Sequence, residues 1–113
     1  NVTSIGVSAF DYCLGLKSII IPDSVTSIGA NAFRMCISLQ EIRLSENLKR
    51  IESGTFSWCN KLKQIMIPKG VEYIDKEAFC GCINLATVYL PEDIKYVDES
   101  AFTYCVAVKL IKY

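Results

Sequence analysis

Histidine is absent from this 113-residue sequence, and with it goes the side chain that most often serves as a general base near neutral pH. Neither a glycine-rich phosphate loop nor a dinucleotide fingerprint occurs. No apolar run approaches the roughly 20 residues of a membrane-spanning helix. The densest, Ile19-Ile20-Ile21, is stopped by Pro22. The 12 basic and 12 acidic side chains cancel and form no block of one sign, which argues against a surface that tracks phosphates. No two cysteines are separated by two residues, so the dithiol redox motif is missing. Neighbouring acids such as Glu92-Asp93 and Asp98-Glu99 fall in turn-like segments and are read as solvated. These absences lead to the expectation of a chain that is not an enzyme, carries no cofactor or metal, binds no nucleic acid and does not insert directly into a membrane.

What the sequence has is a repeat. Phe10, Phe33, Phe56, Phe79 and Phe102 stand 23 residues apart, and Cys13, Cys36, Cys59, Cys82 and Cys105 keep the same step. Aliphatic columns follow it: Val2, Val25, Leu48, Val71 and Ile94; Ile5, Ile28, Ile51, Ile74 and Val97; Leu16, Leu39, Leu62, Leu85 and Val108; Ile19, Ile42, Ile65, Val88 and Ile111. A last column, Ile21, Leu44, Ile67 and Leu90, is closed by Tyr113. One residue type at a fixed period means that equivalent atoms stack coil upon coil, because a single coil cannot bury its own apolar side. Residues 1–113 are therefore expected to form a single solenoid domain with repeats at about 1–23, 24–46, 47–69, 70–92 and 93–113. Starting at Asn1 already inside the pattern, the chain reads as a piece of a longer solenoid.

Within a coil, the segment ending at Leu44 alternates apolar and polar residues, as a strand with one buried face does. Pro22, Pro68 and Pro91, with Ser45 in the remaining place, end these strands. Strands one coil apart are expected to pair in parallel as a main sheet on one face. Segments such as Val25 to Ile28 read as a second, shorter strand, and Phe33, Cys36 and Leu39, three apart, as one helical or 3₁₀ turn. The phenylalanine rings would form an internal spine.

The frame V-x-x-I-x-x-x-A-F-x-x-C-x-x-L-x-x-I-x-I-P, as in "VTSIGANAFRMCISLQEIRL" and "IPKGVEYIDKEAFCGCINLATVYLP", resembles the BspA-like leucine-rich repeats over the whole chain. The resemblance implies a leucine-rich-repeat solenoid. It also implies a cell-surface or secreted protein of the kind that adheres to host matrix proteins or other cells, and it supplies no catalytic residues. One departure is that Glu52, Asp75 and Asp98 stand where Gly6 and Gly29 occur, so that column cannot require a positive φ in every coil. Asn1-Val2-Thr3 matches a glycosylation sequon, in keeping with secretion.

Five of the six cysteines occupy one interior column and are expected to be packed free thiols in a ladder. The bond dihedral of a disulfide conflicts with parallel stacked side chains. A structural zinc wants about four ligands, which Cys80 and Cys82 cannot assemble without histidine.

Function is expected on what faces outward. Two exposed columns of the main strands, Ile20, Arg43, Met66, Tyr89, Lys112 and Ser18, Glu41, Gln64, Thr87, Leu110, should share one face. Aromatic, Met and Arg side chains with a polar rim suit a protein interface. The candidate partner-binding set is Ile20, Glu41, Arg43, Gln64, Met66, Thr87, Tyr89 and Lys112. A secondary set, Tyr12, Trp58 and Tyr104 in the column before the cysteines, could stack sugar rings or merely cap the spine. Two alternatives stay open beside protein binding: a carbohydrate-binding module, and spacer coils of a longer stalk that meet end to end through apolar ends.

Overall fold

The computed structural model describes all 113 residues and is a stack of five coils built from ten short parallel strands. The main face carries β2 (Ser18–Ile20), β4 (Glu41–Arg43), β6 (Gln64–Met66), β8 (Thr87–Leu90) and β10 (Lys109–Lys112). The second face carries β1 (Ser4–Ile5), β3 (Ser27–Ile28), β5 (Arg50–Ile51), β7 (Tyr73–Ile74) and β9 (Tyr96–Val97). Paired strands align residues one repeat apart, as Gln64 with Thr87 and Arg50 with Tyr73, except at β10. Alternate strand residues are buried and exposed, so a strand such as β6 drives Ile65 into the core and leaves Gln64 and Met66 outside.

The third side is an arc of turns. In coil 2 the N–H groups of Ala32, Arg34 and Cys36 donate to carbonyls three residues back, while those of Asn31, Phe33 and Met35 donate to Ser53, Thr55 and Ser57 in the next coil. The i to i−3 spacing of the expected 3₁₀ turn is present, but its bonds alternate with bonds between coils, so no helix forms. Two columns of the arc lie at positive φ, flanking the phenylalanines: Tyr12, Met35, Trp58, Gly81 and Tyr104 between 60° and 76°, and Ser8, Asn31, Gly54 and Glu77 between 57° and 65°. Non-glycine residues in that region cost about 1 kcal/mol each, which the bonds between coils offset. At Gly81 a side chain is excluded twice over, since its Cβ would fall 2.3 Å from the Trp58 ring. Gly6 and Gly29 have no positive φ, which is why Glu52, Asp75 and Asp98 can take that column.

The core is continuous through all coils. Phe10, Phe33, Phe56, Phe79 and Phe102 stack in near-parallel planes with centroids 5.1, 5.6, 5.4 and 5.3 Å apart. Leu39, Leu62 and Leu85 close the core under the main sheet and are fully buried. All six cysteines are free. Each interior thiol donates to the carbonyl of the phenylalanine one coil back: Cys36 to Phe10, Cys59 to Phe33, Cys82 to Phe56 and Cys105 to Phe79, at 3.0–3.2 Å. Burial pushes the Cys36 thiol up to about 11 and Cys59 up to about 12, so neither ionises near neutral pH.

The fifth coil departs from the 23-residue step. Leu16, Leu39, Leu62 and Leu85 each donate back to the cysteine three residues before, and Val108 makes no such bond. The β-branched run around Val106 and Val108 favours extended backbone, and the chain enters β10 one residue early. Lys109 therefore pairs with Thr87, Leu110 with Val88, Ile111 with Tyr89 and Lys112 with Leu90. This corrects four expected columns: Lys109 rather than Leu110 follows Thr87, Leu110 rather than Ile111 follows Val88, Ile111 rather than Lys112 follows Tyr89, and Lys112 rather than Tyr113 follows Leu90. Tyr113 instead donates its hydroxyl to the Ile67 carbonyl at 2.6 Å.

Candidate functional site: the main-sheet groove

The alternation of β4, β6 and β8 places Glu41, Arg43, Gln64, Met66 and Tyr89 along one shallow groove of about 300 Å³, with Gln40 and Glu46 at its edges. Ile42 and Ile65 form its floor. Met66 is 56% exposed and Tyr89 half-buried. Arg43 takes part in none of the three ion pairs of the molecule, which join Arg34 to Asp11, Arg50 to Asp75 and Lys95 to Glu72. A guanidinium left unpaired in the same groove as a thioether and a phenol has five donors to offer a partner beside two softer side chains.

The structure brings five of the eight expected residues to this groove and leaves three elsewhere. Ile20, 70% exposed, sits on β2 across a neighbouring depression with Ser18, Glu41 and Arg43. Thr87 is half-buried at the start of β8. Lys112 is shifted by the register slip into alignment with Leu90 rather than Tyr89, and stays exposed on β10.

The secondary set does not form one platform. Trp58 and Tyr104 stack on each other at 6.0 Å with planes 28° apart, reaching across Gly81. Tyr12 lies apart under the Arg34 guanidinium at 5.0 Å, which in turn bonds Asp11 at 2.9 Å. Cys82 donates its thiol to the Phe56 carbonyl, while Cys80, also buried, lies against Ser57.

The second face carries a further outward column that the sequence columns above do not include. On the second face Arg50 lies over the Tyr73 ring at 4.8 Å, and Tyr73 pairs in register with Tyr96. Tyr96 donates to Asp98 at 3.0 Å, and the Ser100 N–H and hydroxyl donate to the same carboxylate. Those bonds, led by the Ser100 N–H, hold the Asp98 carboxyl below its usual range. Glu52, in the same acidic column, is raised by burial and by the neighbouring Asp75. The signal was the step Ser4, Ser27, Arg50, Tyr73, Tyr96 beside the aliphatic column. No helix is long and apolar enough to cross a membrane.

Comparison with known proteins gives a consistent assignment. The pattern of the BspA type leucine rich repeat region matches residues 1–112 in six copies. A leucine rich cell surface protein from Faecalibacterium prausnitzii A2-165 superposes with a TM-score of 0.95 at 40% identity, over 99% of this chain and 30% of that one. A leucine-rich repeat protein from Bacteroides ovatus gives 0.91 at 34% identity, over 100% and 29%. The pneumococcal vaccine antigen PcpA shares the fold at 21% identity with a TM-score of 0.72. No curated protein matches the chain. The chain thus spans under a third of the length of the first two structures.

Proposed function

Because the chain belongs to the family of BspA-type leucine-rich repeat proteins, we propose that it is a non-enzymatic protein-binding or adhesion module of a cell-surface or secreted protein. The partner, a host matrix or cell-surface protein, docks on the main-sheet groove. The observation that carries this reading is the unpaired Arg43 at one side of a groove whose other side carries Met66 and Tyr89, over an apolar floor. Such groups sit at the centre of interfaces, where desolvation makes each contact count. The surface location is supported by the relative described as a cell surface protein.

The test is a pull-down of extracellular matrix proteins with the chain and with the double variant Arg43→Glu, Tyr89→Ala. Both side chains lie outside the core, so the variant should melt like the parent while binding at least tenfold more weakly. Equal binding by parent and variant would remove this groove as the docking face. A parent that retains none of the proteins would favour spacer coils.

A further inference from the structure

Coils 2 and 3 keep the sequence frame yet lose the ladder on both strand faces. On the main face β2 pairs with β4, and β6 with β8 and β10, but β4 does not pair with β6. On the second face β1 pairs with β3, and β5 with β7 and β9, but β3 does not pair with β5. The bonds flanking the strands are missing at the same place. Ile21 donates to Arg43 and Ile67 to Tyr89, whereas Leu44 donates to no backbone carbonyl. Glu72 donates to Lys49 and Asp75 to Ile51, whereas their counterparts Lys49 and Glu52 have no such partner.

What crosses this junction is the arc and the core. The N–H groups of Asn31, Phe33 and Met35 still reach Ser53, Thr55 and Ser57, and Cys59 still bonds Phe33. The Phe33–Phe56 spacing of 5.6 Å is the widest of the spine. Grooves of about 300 and 330 Å³ open over the two unpaired strand pairs, one on each face.

In a solenoid each coil is held only by its neighbours, so stability divides where one interface is weakest. From the loss of both ladders at one junction we infer that the solenoid is hinged between coils 2 and 3. The arc is the pivot, and a two-coil unit opens from a three-coil unit. The main-sheet groove spans the hinge, with Arg43 on one side and Met66 and Tyr89 on the other.

Native-state hydrogen exchange of the 113-residue chain, followed residue by residue in rising urea, reads the division directly. The N–H groups of Ile21, Gly29 and Gln40 should open together on one isotherm. Those of Ile67, Asp75 and Asp98 should follow a second, at least tenfold slower in exchange. Leu39→Ala, in the two-coil unit, should accelerate the first group and leave the second unchanged. A single isotherm shared by all six amides, or equal acceleration of both groups by Leu39→Ala, would overturn the inference.

Discussion

The arc of turns and the main sheet are built from the same five coils, and they answer to different constraints. Along the arc every junction is bonded through the backbone, and the residues repeat: phenylalanine, cysteine, a small residue beside them. Along the main sheet the ladder breaks once and slips once, and the outward residues change from Ile20 to Arg43 to Met66 to Tyr89. Where interior atoms from successive coils must meet, a substitution disturbs two interfaces at once, so the residue type is held constant. Where side chains meet only water, the frame tolerates anything, and specificity can be written there.

That contrast can be broken or sharpened by a graded series of substitutions. The largest effect is expected at Phe56, fully buried in the spine: Phe56→Ala should cost about 3–5 kcal/mol in a urea unfolding titration. Met66→Ala on the sheet should stay within about 0.5 kcal/mol, and similar losses at both would erase the distinction. Next comes Gly81→Ala, which adds a Cβ at φ 76° against the Trp58 ring. A loss of about 1–3 kcal/mol is expected by the same titration, and a neutral result would mean that Trp58 simply moves aside. At Glu77, exposed and held at φ 57°, Glu77→Gly should gain up to about 1 kcal/mol. Coil 3 already has Gly54 in this place.

The thiol ladder provides a pH test of the arc. Cys36 and Cys59 have native values raised by burial from 9.0 to about 11 and about 12. The unfolded chain therefore releases these protons first, and the stability they contribute is complete below 9.0 and is lost as pH rises toward 12. Unfolding free energy measured from pH 8 to 11 should fall, and Cys59→Ala should flatten the slope. A profile that Cys59→Ala leaves equally steep would place the alkaline sensitivity elsewhere.

Much of this fold was legible because burial is periodic. The phenylalanine and cysteine columns located the interior, and the alternation around Ile42 and Ile65 located the outward residues of β4 and β6. The slip in coil 5 was not legible, because counting by 23 aligned Val108 with Leu85 while the lost turn depends on backbone conformation. The open junction between coils 2 and 3 left no mark either, since every apolar column runs through it unbroken. Positive φ along Tyr12, Met35, Trp58 and Tyr104 was hidden by large side chains that seldom adopt it, with Gly81 the only hint. Of the candidate set, Glu41, Arg43, Gln64, Met66 and Tyr89 line one groove, while Ile20 and Thr87 lie outside it. Lys112 lies outside it as well, because of the slip.

The account rests on side chains one coil apart packing directly on each other, and a double-mutant cycle on the spine tests that. Phe33 and Phe56, whose rings stack at 5.6 Å, should show a coupling of about 0.5–1.5 kcal/mol when replaced by leucine singly and together. Phe33 and Phe79, two coils apart, should show none beyond error. Equal coupling for both pairs, or none for either, would contradict the stacked-coil account.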